Sequence, residues 1–100
     1  MTKTYTVDLG SYHGREYLLR VRATPNFDTP DDFAVVLFYK DPEVEANVQI
    51  VRVDQAHGFT HIDRLYRDGD PKERVDWGLW DAVEQLKSNW RTYAESYESG

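Results

Sequence analysis

The hydrophobic period changes once along this chain, and that change limits the folds open to it. From Lys3 to about Arg67, apolar residues fall largely at alternate positions, broken by clusters of Gly, Pro and Asp. From Trp77 to Tyr97 they recur at every third or fourth position. A period of two places one face of a strand against a core, and a period of 3.6 does the same for one face of a helix. The chain therefore reads as strands followed by a single closing helix.

The strand region divides at its turn signals. Tyr5, Val7 and Leu9 alternate with Thr4, Thr6 and Asp8, and after the Gly-bounded stretch Gly10–Gly14 the pattern resumes with Tyr17, Leu19 and Val21. Two alternating runs joined by a short loop predict a hairpin. Thr24–Asp32, with two prolines and three aspartates, is a loop. Phe33–Tyr39 is apolar on both faces and too short for a typical helix, which marks the central and most buried strand. Asn47–Asp54 is rich in β-branched residues, and Phe59–Arg67 completes a meander of about five antiparallel strands.

Leu79, Val83, Leu86, Trp90, Tyr93 and Tyr97 are spaced four, three, four, three and four apart, so they line one helical face. Asp76 is the expected N-cap, and a helix over residues 77–97 would be about 31 Å long. The aromatic stripe is expected to pack against Tyr5, Val7, Leu19 and Val21 as core, because one face of such a helix must be buried. The expected fold is α+β: a two-layer domain over residues 1–100, with strands in about 3–67 and one amphipathic helix on the sheet.

Composition narrows the chemistry. One hundred residues suit one domain. With no cysteine there is no disulfide, thiolate nucleophile or zinc knuckle. The amino terminus lacks the apolar stretch of a signal peptide and no run reaches the length of a membrane span, so a cytoplasmic, membrane-free protein is the expectation. Eight arginines against four lysines, and eleven aspartates against seven glutamates, suit a salt-adapted cytoplasm, and a GC-rich genome produces the same bias.

The net charge of −6 argues against a protein that coats nucleic acid, yet it is unevenly spread. Residues 24–46 carry −5 and residues 75–100 carry −3, whereas residues 10–23 carry +2 and the segments 1–9 and 47–74 balance. The sheet bearing Arg20, Arg22, Arg52 and Arg64 is thus neutral to basic.

Arg52 to Arg64 concentrates the polar chemistry. Alternation puts Arg52 and Asp54 on one face and His61 and Asp63 on one face. A short loop between the strands would set Asp54 across from His61, with His57 on the loop. Imidazole accepts and donates protons near neutral pH, a carboxylate orients it, and arginine binds phosphate through its planar fork. On this reading Asp54, His57, His61 and Asp63 form the catalytic group of a metal-independent ribonuclease or phosphodiesterase, and Arg52 and Arg64 hold phosphate.

Other readings stay open. Asp54 and His57-Gly58 serve turn formation equally well, and His61 and Asp63 suit a cross-strand pair with Arg52 or Arg64. Two histidines and two aspartates are also legitimate metal ligands, although His-x₃-His binds metal chiefly on a helix, and Gly58 between two strands disfavours one. No metal or cofactor is expected. His13 reads as an exposed turn residue, and no phosphate loop, nucleophile elbow or dinucleotide fingerprint is present.

Arg52, Asp54, Gly58 and His61, followed by the helical run Leu79–Tyr97, resemble the TumE family, small proteins regarded as toxins of toxin–antitoxin modules. The likeness covers roughly residues 33–97, and Val51–Gly58 is also similar to small proteins of halophilic archaea. Where TumE-like sequences tend to show His-x-His, this chain has His61-Ile62-Asp63, a carboxylate in place of the second imidazole. The resemblance implies a toxin with a cognate antitoxin as partner, and the Arg52–Asp63 cluster points such a toxin toward RNA. The alternative is a non-enzymatic interaction module that pairs through a sheet edge, as a homodimer or with another protein.

Overall fold

The computed structural model describes residues 2–43, 45–56, 59–65 and 73–99. Six antiparallel strands form one sheet in sequence order: β1 (Lys3–Tyr12), β2 (Arg15–Thr24), β3 (Asp32–Asp41), β4 (Ala46–Ala56), β5 (Phe59–Arg64) and β6 (Glu73–Val75). The helix α1 (Leu79–Ser99) packs across one face of the sheet. This is the expected two-layer α+β meander with one strand more. β6 is three residues long, too short for alternation to announce it.

Each element follows from local chemistry. The β1–β2 hairpin turns at His13-Gly14, whose φ angles of 52° and 78° are the two positive values a tight two-residue turn requires. His13 is exposed there, stacked on the Tyr12 ring at 4.1 Å, with Nδ1 3.3 Å from Glu98 Oε1. β3 is the central strand, and its residues from Phe33 to Tyr39 are all buried. Phe33, Val35, Leu37 and Tyr39 face the helix together with Tyr17, Leu19, Val21, Val53 and Ile62. On the opposite face Leu18, Val36 and Phe38 form a small apolar cluster, with the Arg20 guanidinium 4.9 Å from the Phe38 ring centre.

Two bulges interrupt the ladder. The register skips Leu9 between Asp8 and Gly10, and skips Ile50 between Gln49 and Val51. An extra residue in one strand sharpens its twist and re-aims the side chains beyond it. Strict alternation from Val48 would turn Arg52 and Asp54 toward the helix. The bulge at Ile50 carries them to the other face.

The helix starts at Leu79 rather than at Trp77, and its cap differs from the expectation. Gly78 N–H donates to Asp81 Oδ2 at 3.0 Å and Gly78 C=O accepts from Ala82 N–H at 3.0 Å, so the N-cap is Gly78 and not Asp76. Leu79, Ala82, Val83, Leu86 and Ala94 are buried, and Trp90, Tyr93 and Tyr97 pack on the core while partly buried. The aromatic end is tied to the sheet by Trp90 against Tyr17 at 5.4 Å and Tyr97 against Tyr39 at 5.7 Å between ring centres. Among the described residues no helix is long and apolar enough to cross a membrane.

Candidate functional site

The sheet face away from the helix carries the polar residues singled out in the sequence. Register fixes their order. One row across the sheet is Thr4, Arg22, Ala34, Asp54, His61 and Arg74, and the adjacent row is Thr6, Arg20, Val36, Arg52 and Asp63. Together the two rows hold four arginines, two aspartates and one histidine over a floor of Ala34 and Val36. Since neighbouring strands lie about 4.8 Å apart, Arg22 and Asp54 flank that floor at roughly 10 Å between Cα atoms.

Asp54 and His61 are direct cross-strand partners, the register expected from the short loop between β4 and β5. Arg52 opposes Asp63 in the same way. Directly opposed side chains have Cβ atoms about 5 Å apart, within reach of a hydrogen bond after a small rotation. Arg52 Nε lies 3.6 Å from Asp54 Oδ2, an ion pair too long for a hydrogen bond.

Three buried atoms of this cluster lack a hydrogen-bond partner among the described residues: Arg52 Nε, Asp54 Oδ1 and His61 Nδ1. Buried polar atoms are paired in the great majority of cases, because an unmet one costs about 1–3 kcal/mol. Here donor and acceptor stand on facing residues and do not meet. Such a cluster is closed by water, by a small rotation of its own side chains, or by a ligand.

The remaining assignments divide. Arg64 follows Asp63 on β5, so it lies on the helix side of the sheet, where Nη1 holds Glu73 Oε2 at 3.1 Å. It does not join Arg52, because consecutive strand residues point to opposite faces. His57 and Gly58 lie outside the described residues. Among the described residues no three His, Asp or Glu side chains converge as a metal site would need.

The structure adds residues that the sequence cluster left out. Arg20 and Arg22 were legible as outward-facing, since Leu19 and Val21 alternate with them. Arg74 joins through β6, facing His61 in register. Its guanidinium stacks on the Phe59 ring at 3.8 Å, and Phe59 remains 43% exposed. Arg22 Nη1 lies 3.5 Å from Asp32 Oδ2 at the exposed rim.

A family model described as a domain of unknown function, DUF7718, matches residues 1–100, so the chain belongs to that family. No curated protein matches the chain. No solved structure matches it.

Proposed function

We propose that this DUF7718 domain is an RNA-directed, metal-independent phosphodiesterase of toxin type. The observation that carries the reading is the facing pair Asp54 and His61 with Arg52 beside them on the same sheet face, three of whose buried polar atoms have no partner among the described residues, in two rows that hold four arginines against two aspartates. The resemblance to TumE-like toxins supports the same direction.

In the proposed reaction His61 takes the proton of a ribose 2′-hydroxyl. The 2′ oxygen attacks phosphorus, the P–O5′ bond breaks, and a 2′,3′-cyclic phosphate forms. Asp54 positions the imidazole and stabilises its protonated form, as a carboxylate opposed to histidine does. Arg52, whose Nε lies 3.6 Å from Asp54 Oδ2, takes the phosphoryl oxygens through its remaining N–H groups, and charge concentrates on those oxygens in the transition state. The proton for the departing O5′ is assigned, from sequence, to His57. Arg20 and Arg22 meet flanking phosphates, and exposed Phe59, backed by Arg74, offers a ring on which a base stacks. A cognate antitoxin would neutralise such a protein by covering this face.

Induced expression of the wild type in a sensitive bacterial host is expected to arrest growth, and His61→Ala is expected to abolish the arrest. Equal growth of both cultures would contradict the proposal. The interaction-module reading draws on one feature, the uncovered ten-residue edge strand β1, since an open edge is a template for a further strand. Light scattering after size exclusion tests it: a dimer disrupted by Pro at Thr6 would favour that reading, and a monomer would count against it.

A further inference from the structure

On the other side of the sheet, where the β2–β3 loop meets the start of α1, lies a cleft of about 390 Å³. Small-molecule sites commonly fall between about 300 and 1,000 Å³. Its lining includes four aromatic rings, Phe27, Phe33, Trp77 and Trp80, and two carboxylates, Asp28 and Asp81. Among the described residues none of its lining is Lys or Arg. The loop is held in shape over it: Asn26 Oδ1 accepts from the N–H groups of Asp28 at 3.0 Å and Thr29 at 2.9 Å.

One acceptor in the cleft is unmet. Gln55 Oε1 is buried with no hydrogen-bond partner among the described residues, whereas its neighbour Thr60 already donates to Trp77 C=O at 2.9 Å. Trp80 is 54% exposed, with its ring 6.2 Å from Phe27 and tilted by 49°. The two rings give the cleft an aromatic wall on which a flat or charged group can stack.

We infer that this cleft binds a small organic cation, an alkyl guanidinium or ammonium compound. Aromatic faces attract cations through their quadrupole, and the Gln55 amide, turned about its last torsion, presents its oxygen to the N–H that such a cation brings. The helix start contributes roughly half a positive charge, which two carboxylates outweigh, and Asp81 already spends one oxygen on Gly78 N–H. The site is independent of the arginine-bearing face, so its test does not depend on RNA cleavage.

Tryptophan fluorescence titrated with agmatine provides that test. Agmatine is expected to give a saturable change, with neutral N-butylurea and anionic butyrate at least about tenfold weaker. Gln55→Leu and Trp80→Ala are each expected to weaken agmatine at least about tenfold, with circular dichroism and melting temperature confirming that both remain folded. Trp80 is exposed, so its variant keeps the test valid should Gln55→Leu fail to fold. Equal binding of N-butylurea, tighter binding of butyrate, or no saturable response to agmatine overturns the assignment. A tripeptide, acetyl-Gly-Arg-Gly-amide, that binds tenfold more tightly than agmatine would overturn the small-molecule occupant.

Discussion

At Gly10 the missing side chain is what lets Trp90 reach the sheet. A Cβ built there would sit 3.3 Å from the indole, and the backbone φ of +134° is one that other residues rarely adopt. Gly10→Ala is therefore expected to cost about 1–3 kcal/mol in urea denaturation, with both strain and crowding contributing. His61 illustrates the reverse case. Its Nδ1 is buried with no partner among the described residues, so His61→Leu removes a cost along with the proposed catalytic group. That variant is expected to melt no lower than the wild type, and to gain up to about 1–3 kcal/mol. A clear loss of stability would mean that the imidazole is structural. The facing of Asp54 and His61 was legible from alternation and a short loop. The unmet atoms were not, because whether facing side chains bond depends on rotamers that no spacing encodes.

Among the elements, the strands with clear alternation or a continuous apolar run were readable, and the deviations have physical causes. Bulges at Leu9 and Ile50 add a residue without altering composition, and β6 offers only Glu73-Arg74-Val75 as its signal. Arg64 lies on the helix side of the sheet, apart from Arg52, because strand parity outranks proximity in sequence. At the helix start Asp81 supplied the capping carboxylate from inside the first turn, where Asp76 was expected to supply it from outside. The aromatic stripe of α1 behaves as core. Since Trp90 is only partly buried, Trp90→Ala is expected at the lower end of the usual range, about 3 kcal/mol by denaturant titration.

The last turns of α1 also set a pH limit. Burial, then the neighbouring Glu98 carboxylate, pushes the Tyr17 phenol up to about 12. Burial, then the hydrogen bond between the Tyr39 and Tyr97 hydroxyls at 3.1 Å, pushes Tyr39 up to about 12 as well. An unfolded tyrosine titrates near about 10. A raised folded pKa gives stability that is complete below the unfolded value and lost as pH climbs through the folded one. The melting temperature is thus expected to hold up to about pH 10 and to fall between about 10 and 12, with a smaller fall in Tyr17→Phe.

For the whole molecule, the net charge of −6 and the proposed RNA face are compatible because they occupy different places. Residues 24–46 and 75–100 carry eleven of the eighteen acids, while the two rows around Ala34 and Val36 gather four arginines against two aspartates. Composition showed the imbalance between segments, and only the register shows which arginines share a face. If all four arginines meet phosphate, binding of single-stranded RNA should weaken with salt at a log–log slope of about −3, since each contact contributes about −0.7. A slope near zero would exclude phosphate as what those arginines hold. The most direct measurement is cleavage of an end-labelled single-stranded RNA by the purified chain with a chelator present. Fragments ending in a 2′,3′-cyclic phosphate are expected, formed about 10²–10⁴ times more slowly by His61→Ala. Intact RNA with the wild type, or equal rates for the two proteins, would contradict the proposed chemistry.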